Sequence, residues 1–166
     1  MRLFVAVRFS PAVEGALWAA VGDLRRRGTG TFTRRENLHL TLAFIGETDR
    51  LEDARAALAG VAGAGPLQLE VSGSLGRFGD LWWAGVRGGE ELEALAGAVQ
   101  TALRQAGFAI ERRLWRPHVT LVRRWRGPVP GTQVAPAVMT ADTISLMRSD
   151  RVDGRLTYTE VSSVKL

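Results

Sequence analysis

Hydrophobic positions along the chain fall into two rhythms, one of period two and one of helical period. "RLFVAVRF", residues 2–9, has the β-branched and aromatic content of a strand. Ser10 followed by Pro11 has the form of a helix start, with a capping hydroxyl and a proline at the first helical position. Val13, Ala16, Leu17, Ala20, Val21 and Leu24 then recur at helical spacing. Arg25, Arg26 and Arg27 suit the negative end of that helix, and Gly28 closes it. "GTGTFTRRE", residues 28–36, reads as a loop or a short edge strand. "NLHLTLAFI" is a predicted strand ended by Gly46. Thr48 is expected to cap a helix running through Val61, with Leu51, Ala54, Leu58 and Val61 on one face. "LQLEVSGSL" and "LWWAGVR" are two predicted strands around the glycine-rich turn "GRFGD". "EELEALAGAVQTALRQAG" is the strongest helical pattern, with Leu92, Leu95, Ala96, Val99 and Leu103 as its apolar face and Gly107 as its stop. "HVTLVR" is the next strand, and "GPVPG", residues 127–131, is a loop. "ADTISLMRS" and "RLTYTEVSSV" are the last two strands, joined through "DRVDG". Helices alternate with strands throughout, so the predicted class is α+β.

Two of these strands share an unusual feature. The chain has only two histidines, His39 in "HLTL" and His118 in "HVTL". Side chains alternate faces along a strand. Leu38, Leu40 and Leu42 therefore want a core, while Asn37, His39, Thr41 and Ala43 face the other way. His118 and Thr120 likewise lie opposite Val119 and Leu121. Pro117 stands at the strand's start, where a missing N–H is tolerated. A lone His on a strand is usually a surface residue. Two copies, each in an opposite half of the chain and each following a helix, suggest a duplicated unit and a cleft with two imidazoles facing across it.

Such a pair suits acid–base chemistry on a phosphate. Histidine titrates near neutrality, so one ring can accept a proton while the other donates one. Hydroxyls two residues on can donate to non-bridging phosphate oxygens where charge builds. Each tetrapeptide supplies one His and no carboxylate or Cys, short of the three protein ligands of a catalytic zinc site. Glu36 and Glu111 are near in sequence but lack ligand spacing. No metal and no cofactor are expected. No serine-centred elbow or triad order is visible, and "GSLGRFG" lacks the lysine of a nucleotide-binding loop.

Composition narrows the setting. The 166 residues are 46% apolar, enough for a real core. No run approaches the length of a membrane span, and the N-terminal segment lacks the apolar region of a signal peptide. The absence of cysteine excludes disulfides and thiol chemistry and fits a cytoplasmic enzyme. Net charge is +5, and Lys165 is the only lysine. Arginine suits phosphate, although a GC-rich coding sequence would also enrich Arg, Ala and Gly. Arg25, Arg26, Arg27, Arg34 and Arg35 could track the phosphates of a polyanionic partner or could be a helix end and a solvated loop. Phe4, Phe44, Trp82, Trp83 and Tyr158 are candidates for stacking on a base, and Trp82 and Trp83 should face opposite ways.

The paired "HLTL" and "HVTL" resemble the two His-x-Thr-x signatures of the two-histidine phosphoesterase superfamily. Together with "RLFVAV", "ENLHLTLAFIGE", "LGRFGDLWWAGV", "RPHVTLVR" and "LMRSDRVDGRLTY", they make the chain resemble the RNA 2′,3′-cyclic phosphodiesterases, also called 2′-5′ RNA ligases. The resemblance implies one domain over residues 1–166, with two pseudo-symmetric lobes of antiparallel sheet, outer helices and a central cleft. It implies metal-independent opening of an RNA terminal 2′,3′-cyclic phosphate to a 2′-phosphomonoester, with reverse 2′-5′ ligation at the same site. His39 would be the proton donor, His118 the proton acceptor, and Thr41, Thr120 and Arg123 the substrate-binding residues. The residues themselves leave the two histidine roles open. Strict alternation puts Arg123 on the face opposite His118, so it reaches the cleft only if the strand bulges or ends by Val122. The expected partner is RNA with a cyclic phosphate end, acted on by a monomer away from membranes. The alternatives are a non-catalytic RNA-binding module, or a phosphodiesterase for a small cyclic nucleotide or a 2′-5′ oligonucleotide.

Overall fold

A computed structural model describes residues 1–166. Ten strands and three helices follow in the order β1 (Arg2–Arg8), α1 (Pro11–Arg27), β2 (Thr29–Phe32), a 3-10 turn (Arg35–Asn37), β3 (His39–Glu47), α2 (Leu51–Ala59), β4 (Leu67–Ser74), β5 (Gly76–Phe78), β6 (Leu81–Gly85), α3 (Gly89–Gln105), β7 (His118–Arg126), β8 (Gln133–Ala141), β9 (Thr143–Val152) and β10 (Arg155–Lys165). All paired strands are antiparallel, and the class is α+β.

One sheet has the order β10-β9-β1-β3, a second β2-β7-β6-β5, and β4 pairs with β8. Reciprocal backbone hydrogen bonds between Glu70 and Arg87 tie β4 to the end of β6. Each half thus offers a four-strand path ending in a histidine strand: β10-β9-β1-β3 and β8-β4-β6-β7. The helices cross between halves. α1, which follows β1, packs on β8, β2, β7 and β4, whereas α3 packs on β3 and α2, and α2 reaches β10. Val13, Leu17, Ala20, Val21 and Leu24 of α1 and the predicted face of α3 all enter one cluster of 36 buried residues shared by both halves.

Several local expectations change. Thr48 does not cap α2. Its hydroxyl accepts from the Arg50 N–H, and α2 starts only at Leu51 and ends at Ala59, where Gly60 takes over the last turn. "GRFGD" is more than a turn, because Gly76–Phe78 pairs with β6 as β5. β8 lies where no element is predicted. Pro136 obscures it, and the strand tolerates that proline because it pairs on one side only and carries a bulge opposite Val71–Gly73. The β9–β10 hairpin narrows to the two-residue turn Asp153-Gly154, with φ of 51° and 76°. Both central residues are left-handed, as a tight Asp-Gly hairpin requires.

Candidate active site

The two histidine strands share more than a tetrapeptide. From the histidine onward, six positions of β3 and six of β7 run through the same sequence of half-buried, buried and exposed residues. The first four alternate as expected. His39 and Thr41, like His118 and Thr120, are half-buried, while Leu40, Leu42, Val119 and Leu121 are buried. The alternation then breaks. Ala43 and Val122 are also buried, and Phe44 and Arg123 turn outward. The cause is a β-bulge at the same place in each strand. β1 pairs Ala6 with Thr41 and Val5 with Ala43, leaving Leu42 unopposed. β6 pairs Trp83 with Thr120 and Trp82 with Val122, leaving Leu121 unopposed. One extra residue shifts every later side chain to the other face. Ala43 therefore joins the core instead of the His39 face, and Arg123 moves to the face of His118.

A second bulge follows in β7, where Arg124 and Trp125 stand opposite Gly30 of β2. Arg124 has φ of 55°, a left-handed conformation uncommon for a residue with a side chain. Gly30 permits the close approach, since a Cβ there would lie 2.8 Å from the Arg123 carbonyl oxygen. The two bulges aim consecutive arginines, 123 and 124, at one cavity.

That cavity has a volume of about 350 Å³. His39, Thr41, His118, Thr120 and Arg123 all line it, with Phe44 and Tyr158. Arg34, Arg124, Arg151 and Arg155 add to its rim, and no carboxylate lines it. Of the five arginines flanking the first histidine strand, only Arg34 takes part. Arg26 and Arg27 pair with Asp23, Arg35 pairs with Glu14, and Arg25 lies over Trp18 and Phe32.

The imidazoles are held alike. Nδ1 of His39 donates to the carbonyl of Asn37 at 2.7 Å, and Nδ1 of His118 donates to the carbonyl of Arg116 at 2.7 Å. A carbonyl only accepts, so both Nδ1 atoms carry the proton and both Nε2 atoms are left for chemistry. Nε2 of His39 lies 2.8 Å from the Thr41 hydroxyl, which donates to it when the ring is neutral. The His118 ring makes no hydrogen bond through Nε2. Aromatic rings brace each side. His39 sits 4.9 Å from Phe4 and 5.1 Å, edge-on, from Tyr158. His118 sits 5.3 Å, edge-on, from Phe78 and 5.9 Å from Trp83. Trp82 is buried on the other side of β6, as alternation predicts. Phe78 is not among the residues predicted from sequence. Nothing in "GRFGD" marks it until β5 lies beside β6.

Burial holds His39 below its ordinary pKa of 6.5. The hydrogen bond to Asn37 opposes this, and the positive charge of Arg123 and the nearby His118 add to the lowering. Burial pushes the Tyr158 hydroxyl up, with Arg123 pulling the other way. The His39 shift carries a sign for stability. The unfolded chain binds this proton more readily than the folded one, so its contribution is complete above 6.5 and is lost as pH falls below that value toward the lowered one. The urea midpoint is expected to drop across that window, and less steeply in His39→Asn. Equal slopes in the two proteins would show that His39 is not the group responsible.

The model of the 2′-5′ RNA ligase superfamily matches residues 13–153. The chain belongs to that superfamily. A relative from Geobacillus stearothermophilus named RNA 2′,3′-cyclic phosphodiesterase is 32% identical over 136 residues, covering 76% of this chain. The chain spans only 43% of that relative's length. A Thermotoga maritima protein of the same name is 27% identical over 164 residues, covering 90% of this chain and 87% of its own. Among solved structures, Escherichia coli LigT complexed with 3′-AMP superposes with a TM-score of 0.85 over 99% of this chain and 97% of that one, at 24% identity. TT0787 of Thermus thermophilus gives 0.83 over 100% of this chain and 98% of that one, also at 24% identity. The likeness to those two structures establishes the fold. No helix is long and apolar enough to cross a membrane.

Proposed function

We propose that this member of the 2′-5′ RNA ligase superfamily is a metal-independent RNA 2′,3′-cyclic phosphodiesterase that opens the terminal cyclic phosphate to a 2′-phosphomonoester. One observation carries the reading: two imidazoles, two threonine hydroxyls and Arg123 converge on a single cavity that no carboxylate lines. The names of the Geobacillus and Thermotoga relatives support the substrate.

In the proposed reaction, Nε2 of His118, which no protein group occupies, takes a proton from water as the water oxygen bonds to phosphorus. His39 gives the proton on its Nε2 to O3′ as the P–O3′ bond breaks. Thr41, Thr120 and Arg123 hold the non-bridging oxygens. Burial makes the free His39 reluctant to carry a proton, and the charge of the bound phosphodiester reverses that, so substrate itself arms the donor. With a 5′-hydroxyl of a second RNA in place of water, the same proton transfers yield a 2′-5′ linkage without ATP.

The pseudo-symmetric positions five residues beyond each histidine differ in chemistry. Arg123 is suited to phosphate, and Phe44, which is 65% exposed at the cavity, to the face of a base. The test is an RNA ending in a 2′,3′-cyclic phosphate, incubated in excess chelator. The 2′-phosphate should be the sole product. Accumulation of the 3′-phosphate, or loss of turnover with the chelator, would overturn the mechanism.

A further inference from the structure

We infer that the tip of the β9–β10 hairpin is a binding subsite for the RNA backbone on the 5′ side of the reacting nucleotide, and that it selects chain ends over free cyclic nucleotides. The inference rests on the function proposed above for its substrate class.

The hairpin tip is brought to the cleft by the Leu156 carbonyl, which accepts from Nη2 of Arg34 at 3.0 Å and from Nδ2 of Asn37 at 2.9 Å. It carries Arg151 and Arg155. Register puts Arg151 opposite Leu156, and Ser149 opposite Tyr158, so Arg151 shares the Tyr158 face of the hairpin. Arg155, opposite Val152, stands on the other face. It nevertheless lines the catalytic cavity, and also a second cavity of about 450 Å³ bounded by Arg34, Val152, Asp153, Arg155 and Thr157. Arg34 and Arg155 therefore border both cavities, and the path out of the cleft runs between them.

Charge along this path is largely unspent. Arg123, Arg124, Arg151 and Arg155 all line the catalytic cavity and form no ion pair. Arg34 lies 3.2 Å from Glu36 through Nε, yet that buried nitrogen is out of line for a hydrogen bond and has no partner. Asp153, in the turn, is the single carboxylate on the path. Arg124 is held in left-handed backbone to face the same cavity, a local cost that structures keep where a side chain must be aimed. A mononucleotide has its one reacting phosphate between the histidines and needs no further cations. A run of guanidiniums leading outward fits a strand with successive phosphates.

The test compares wild type with the double variant Arg151→Ala/Arg155→Ala, whose side chains take no part in the core or the proposed chemistry. Turnover of a cyclic-ended oligoribonucleotide and of a 2′,3′-cyclic mononucleotide is measured, together with anisotropy of a fluorescent single-stranded RNA over a range of salt. The variant should lose about tenfold more in kcat/KM on the oligonucleotide than on the mononucleotide, and about tenfold in affinity for the single-stranded RNA, with a salt slope shallower by about 1.4 units for two lost cations. Equal losses on both substrates, or no loss on either, would overturn the subsite. If wild type hydrolyses neither substrate, the catalytic reading fails alone. The anisotropy then decides the subsite, which falls if the variant binds RNA as wild type does.

Discussion

Alanine in place of either His39 or His118 is expected to lower kcat/KM on a cyclic-ended RNA by about 10²–10⁴, the range for loss of one general acid or base. Each ring is anchored through Nδ1 to a main-chain carbonyl and is only half-buried, so the fold should persist, as circular dichroism would show. The pH profile distinguishes a catalytic from a structural role. With an acid and a base both required, wild type gives a bell, and each substitution removes one limb. The lowered pKa of His39 sets the direction of one limb. That limb of kcat/KM therefore lies below the ordinary histidine value. Near-full activity in either variant, or an unaltered profile, would eliminate paired acid–base catalysis.

Arg123→Ala should produce the second largest loss, about 10²–10³ in kcat, comparable to deleting one preorganised donor to a developing charge. Electrostatics adds a second readout. Arg123 is among the causes that lower the His39 pKa, so its removal should raise that pKa and move the limb of kcat/KM that His39 sets to higher pH. Arg123→Lys keeps the charge but not the planar fork. It should retain the wild-type limb while recovering only part of the rate. A rate loss with no displacement of the limb in Arg123→Ala would mean that the guanidinium does not sense His39.

Arg123 also illustrates what a sequence can and cannot reveal. Its spacing from His118 is plain, but alternation assigns it to the wrong face. The unopposed Leu121 corrects the parity, and that bulge exists only because β6 pairs Trp83 with Thr120 and Trp82 with Val122. Alternation misplaces Ala43 for the same reason in β3. Phe78 and the arginines of the hairpin tip escape prediction as site residues because they come from segments remote in sequence. The Asp-Gly turn of that hairpin is visible in the sequence, but its docking on Arg34 and Asn37 is not.

By itself, the sequence determined the α+β class, the faces of α1 and α3, and the strand faces carrying His39–Thr41 and His118–Thr120, because these follow from local periodicity. The tertiary structure decided the two bulges, the crossing of the helices between halves, and the gathering of arginines around one cavity. Those features depend on which strand lies beside which and in what register, and pairing between distant segments leaves little trace in the residues of either one.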